Sequence, residues 1–192
     1  YLTVQRESCE VEHHFTCAAD PAGHKRDVVI DRSGVTFASQ IDDEAQWIAS
    51  VDGVTGGNSA LQPNPDDAHS LTDLLTTGVD TFDFRTFSTV EGPRRFVGTD
   101  RLTGNTVTID GVTLDEVAVE MQMFNATGAV GLSLTSREFV SRDWRMFFSG
   151  VTTYDLPDGD VTVSRRPIEF IFPGEPGFLS SQPKHGCGVA IS

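Results

Sequence analysis

The chain has 192 residues, 38% of them hydrophobic, and 28 acidic against 14 basic side chains give a formal net charge of -14. That balance excludes nucleic acid and anionic membrane as main partners, because phosphate binding relies on a cationic footprint. The local exceptions, Arg94-Arg95 and Arg165-Arg166, read as solvated pairs beside turns. No unbroken apolar run approaches the roughly 18 residues of a membrane-spanning helix, and the length suits one domain, residues 1–192, with its own core.

In chain order, residues 11–17 read as a first strand and Asp20-Pro21-Ala22-Gly23 as a turn, since proline and glycine supply the backbone angles of a reversal. Residues 28–30 and 35–41 then form a hairpin around Arg32-Ser33-Gly34, while residues 42–51 fit a helical turn or a strand equally well. Residues 52–69 are a long polar loop, uncommon in a compact domain unless mobile or functional. It reads as a connector, with a lid over a cavity as the alternative. Ser70 caps a short helix to Thr77 that carries Leu71, Leu74 and Leu75 on one side.

Strands dominate from Asp80 onward. Residues 81–87 place Phe82 and Phe84 on one face, and residues 94–98 follow. Val117, Val119, Met121 and Met123 alternate with polar residues, as do Trp144, Met146 and Phe148 within residues 139–149, and Ile168, Phe170 and Phe172. A period of two marks strands with one buried face. Asp110-Gly111 is a two-residue hairpin signal, and residues 125–128 and 157–159 turn the chain again. Prolines bar the tail, residues 173–192, from a central strand. The fold class is therefore all-β: an antiparallel meander forming a closed barrel or a strongly curved sheet, with at most one or two short helices.

Cys9, Cys17 and Cys187 lie at the two ends of the chain. One disulfide with one thiol left over fits an oxidising compartment, periplasmic or secreted. Tyr1 in place of Met is read the same way, as the mark of a removed secretion signal or of trimming. Cys9 and Cys17 cannot pair within one straight strand, because eight residues span roughly 27 Å; a turn between them, or a bond from either to Cys187, leaves all three pairings open.

No motif assigns chemistry. There is no Gly-x-Ser-x-Gly elbow, and Cys17 near His13-His14 or Cys187 near His185 read as disulfide or inert thiol rather than nucleophiles. Glu12 and His14 share a strand face, a two-ligand fragment short of the four that structural zinc takes. Asp66-Asp67-Ala68-His69 reads as solvated loop charge, Asp155, Asp158 and Asp160 as a hairpin turn rather than a calcium loop, and Asn125-Ala126-Thr127 as an exposed turn. Asp115, Glu116, Glu120, Glu138 and Asp143 read as solvent-face charges. No catalytic residue, metal ligand or cofactor is assigned.

The apolar residues are more informative. Met121, Met123, Trp144, Met146, Phe148 and Phe170 share one surface if the sheet curls, either as a core or as an adaptable wall for an apolar ligand. Arg142, like Arg145 beside Trp144, is placed to meet a carboxylate or phosphate at a cavity mouth, with surface pairing as the alternative.

The run from Ser141 to Gly150, with the segment from Asp100 to Gly104, resembles uncharacterised secreted or periplasmic proteins of alphaproteobacteria. The resemblance covers about the C-terminal half and implies a compartment rather than an activity. In architecture the chain is similar to β proteins that cradle lipids, such as lipocalins, although the Gly-x-Trp lipocalin signature is absent. Three readings follow. The first is a non-enzymatic β protein that binds an apolar or amphipathic small molecule or lipid. The second is a structural or protein-interaction module of the envelope or an assembly, and the third a hydrolase-like enzyme using scattered carboxylates or histidines.

Overall fold

A computed structural model describes residues 1–188. The strands are β1 (Leu2–Arg6), β2 (Val11–Phe15), β3 (Lys25–Asp31), β4 (Gly34–Ile41), β5 (Trp47–Asp52), β6 (Asn58–Leu61), β7 (Val79–Ser88), β8 (Gly92–Ile109), β9 (Val112–Phe124), β10 (Val130–Ser141), β11 (Met146–Asp155), β12 (Val161–Ser164) and β13 (Pro167–Ile171), with one helix, α1 (Leu71–Thr77), before β7. All thirteen strands form one antiparallel sheet in which β1 to β12 neighbour one another in chain order and β13 pairs with β1. The fold is the all-β meander expected, and the sheet is curved rather than closed. Its two edge strands, β12 and β13, are nonetheless consecutive: only Arg165 and Arg166 separate them, and these bond to opposite ends of the sheet. The Arg165 N–H donates to Gly150 on β11, while the Glu7 N–H, just past β1, donates to Arg166.

The turns follow local chemistry. Asp110 and Gly111 take φ of 48° and 79°, the left-handed pair that a two-residue hairpin needs to match strand twist. Ser70 caps α1 by accepting the Asp73 N–H, and Gly78 ends it at φ 87°. The alternation through residues 139–149 predicts one long strand; they are instead the end of β10, a turn with Arg145 at φ 48°, and the start of β11. The polar stretch 52–69 contains β6, which joins β5 to β7, and an isolated bridge from Asp67 to Asp83.

Irregularities bend the sheet. β8 skips residues between Leu102 and Thr106 against β9, and the tip of this long hairpin is pinned where Asp110 accepts the Phe170 N–H at 2.9 Å. Its far half thus brings Leu114 into a packed core with Leu2, Val4, Phe139, Met146, Phe148 and Phe170. α1 lays Leu71 and Leu74 on Val117, Val119 and Val140. Phe82, Phe84 and Phe96 form a third cluster.

The tail covers the outer face of β1. Gln5 accepts the Lys184 N–H at 2.9 Å and Thr3 accepts that of Leu179 at 3.0 Å, so both polar side chains have no exposed surface. A disulfide joins Cys9 to Cys187, resolving the pairing, and leaves Cys17 free and half-buried.

Candidate functional site

The curve of the sheet encloses a cavity of about 660 Å³, within the size range of small-molecule sites. One arc of its wall is apolar, with Phe37, Trp47, Phe82, Met121, Leu134 and Phe147. The other arc is charged, with Arg6, Glu12, His14 and Asp27 from β1, β2 and β3. Strand phase explains both. Cross-strand partners Phe82, Gly98, Met121 and Leu134 form one inward row through β7 to β10, and Asp80, Asp100, Val119 and Ser136 form the next. Gly98 lies beneath the Phe82 ring, and a Cβ there would overlap both that ring and the Glu120 carbonyl.

On the charged arc, buried Glu12 pairs with Arg6 and lies 3.3 Å from Nε2 of His14. Burial opposes its ionisation, but the Arg6 and His14 charges outweigh that and hold its carboxyl at about 2. Asp27 accepts a hydrogen bond from Ser39, while burial and the neighbouring Glu12 charge push its carboxyl up.

A second polar group centres on His69. Its backbone N–H donates to Gln46 at 2.9 Å and its ring stacks on Phe82, centroids 4.6 Å apart. Nδ1 lies 2.9 Å from Asp80, which also accepts the Ser70 N–H, and Nε2 lies 3.3 Å from Asp100. Burial works against a charged His69, but Asp80 and Asp100 raise its affinity for a proton. Burial also lifts Asp100 to about 6, against the pull of His69, and lifts Glu138 to about 7 with help from the Asp100 charge. His69, Asp100 and Glu138 all line the cavity.

The residues singled out as a ligand wall divide. Met121 and Met146 line the cavity. Met123 packs against the Phe82, Phe84 and Phe96 cluster. Phe148 and Phe170 fill the core around Leu114, and Trp144 packs on it. Arg142 is exposed on the outside, paired with Asp115 at 2.6 Å and donating to the Leu75 carbonyl. Arg145 ties the β10–β11 turn to Glu44 at 2.8 Å, and Glu44 in turn accepts from Thr72 on α1.

Two groups were misread from sequence. Glu138, taken as a solvent-face charge, is in phase with Ser136 and Val140 and faces inward. His69, taken as solvated loop charge, is buried, although Asp66 and Asp67 beside it do pair at the surface with Arg85 and Thr81. Asp80, not singled out at all, was legible by phase, since it shares parity with Phe82 and Phe84.

Set against family models, curated proteins and solved structures, the chain matches none. Its own geometry carries the functional reading.

Proposed function

We propose that the protein binds an amphipathic small molecule or lipid inside its curved sheet without transforming it, in the periplasm or outside the cell. The observation that carries this reading is the cavity itself: about 660 Å³, with apolar and aromatic side chains along one arc beside His69, Asp100 and Glu138, and charged ones along the other. An apolar chain or ring gains by leaving water against Phe37, Trp47, Met121 and Leu134. A polar headgroup meets the Arg6–Glu12 pair and the His14 Nε2, which lies 3.3 Å from Glu12 and has no hydrogen-bond partner among the described residues. The Cys9–Cys187 disulfide supports an oxidising compartment. Asp66 and Asp67 stay outside the cavity, so the loop acids do not join Glu12 and His14 around a common point.

Trp47 supplies the test. It lines the cavity, is 41% exposed, and lies edge-on to Phe84 and Phe96. Titration with a medium-chain lysophospholipid is expected to change its fluorescence saturably, at one ligand per chain. Ser149→Phe, which places a ring into the cavity from β11, is expected to weaken that binding at least tenfold while the protein stays folded. A saturable signal untouched by Ser149→Phe, or none with any amphiphile tried, contradicts the reading.

A further inference from the structure

We propose that His69 and Asp100, with Asp80 behind the ring, form a binding site on the cavity wall for one divalent transition-metal cation of the zinc or manganese class. Ligand atoms from these three residues lie within 4.8 Å of one another, and all three residues are buried.

The two contacts of the imidazole differ in kind. Nδ1 stands 2.9 Å from Asp80, within ion-pair reach but without the alignment of a hydrogen bond, so it too has no hydrogen-bond partner among the described residues. Nε2 stands 3.3 Å from the Asp100 carboxylate, long for a hydrogen bond. It matches the separation, about 3.3 Å, of two ligands on one tetrahedral ion with bonds of about 2.0–2.1 Å. Asp80 therefore stands on the Nδ1 side of the ring, where an outer carboxylate favours the tautomer that turns the Nε2 lone pair toward the ion. The stack on Phe82, possible because residue 98 is glycine, holds the ring plane.

An independent observation points to a missing partner. Asp100 is 2% exposed, lines the cavity, and its Oδ1 has no hydrogen-bond partner among the described residues. Such an oxygen is costly to bury unless a positive charge or donor meets it. None of Asp80, Asp100 and Glu138 makes an ion pair with a lysine or arginine among the described residues; His69 is the one cationic group beside Asp80 and Asp100. A dication between the His69 Nε2 and the Asp100 carboxylate would meet that unpartnered oxygen. One nitrogen with carboxylate oxygens suits zinc or manganese, and the site opens on the cavity that His69 and Asp100 line.

The test uses the whole disulfide-bonded chain, stripped with a chelator and titrated with Co²⁺ as a spectroscopic probe, then with Zn²⁺. The expected result is one Co²⁺ per chain with visible ligand-field absorption that Zn²⁺ abolishes. Asp100→Asn is expected to remove the uptake, and Asp80→Asn to weaken it roughly tenfold to a hundredfold. Cys17→Ser is expected to leave it unchanged, which excludes the free thiol. If Asp100→Asn does not fold, Asp80→Asn decides. Absence of a stoichiometric site, or uptake that the folded aspartate variants retain in full, overturns the proposal. Because the readout is the metal alone, it is independent of whether an amphiphile binds.

Discussion

Glu12 shows how one buried residue makes stability depend on pH. Its folded carboxyl lies at about 2, against 4.5 for an unperturbed glutamate, so the native state binds its proton less readily than the unfolded chain. The stability this contributes is present above pH 4.5 and lost as pH falls through about 2, a total on the order of 3 kcal/mol. Acid titration of unfolding free energy is expected to show that loss in the wild type and not in Glu12→Gln. The variant is also expected to be less stable at pH 7 by about 1–3 kcal/mol, because buried Arg6 would keep only the more distant Glu10, 3.6 Å away, as a counter-charge. A variant with the wild-type acid slope would show that the Arg6–Glu12 pair does not form. Alternation was misapplied at Glu138, which is in phase with Val140 and faces inward, and it was not applied at all to Asp80, which is in phase with Phe82 and buried. Nothing in the sequence, by contrast, signalled that His69 turns inward while Asp66 and Asp67 stay out.

Elements were more legible than residues. Alternation and turn chemistry located most strands, the Asp110-Gly111 hairpin and the Ser70 cap, because these depend on neighbours in sequence. Replacing Ser70 by Ala is expected to cost about 1 kcal/mol in thermal unfolding; no change would mean that the helix end is held by Glu44 alone. Bulges were not legible, because the partner strand decides them. Between Arg137 and Phe139 the ladder to β11 shifts register, and Gly150 sits where a Cβ would overlap the Arg137 carbonyl oxygen. Gly150→Ala is therefore expected to destabilise the protein by about 2–4 kcal/mol. It should also disturb the binding of amphiphile, since Ser149 within the bulge and Thr152 just past it both line the cavity. Unaltered stability in that variant would argue against the bulge.

At the scale of the whole molecule, a meander holds its shape only if its ends are fixed. Two devices do this: the passage of β12 into β13 across two residues, and the disulfide between cysteines 178 residues apart. Cross-linking so long a loop stabilises by about 5 kcal/mol in the chain-entropy account. The Cys9→Ala/Cys187→Ala double variant is thus expected to melt well below the oxidised wild type, and a melting point unmoved by its loss would show that strand pairing alone fixes the ends. The sequence pattern announced a curved or closed sheet but not which, because closure depends on the accumulated bends of bulges and on contacts between residues more than a hundred positions apart. The cavity is a product of that curvature, and its role as a binding chamber is the central claim. Native mass spectrometry on protein exported to a periplasm and purified without detergent tests it most directly. An added noncovalent mass of an amphiphile, lost on denaturation and missing from Ser149→Phe, is the result expected. A bare chain mass in both proteins, unchanged after incubation with a periplasmic lipid extract, would contradict it.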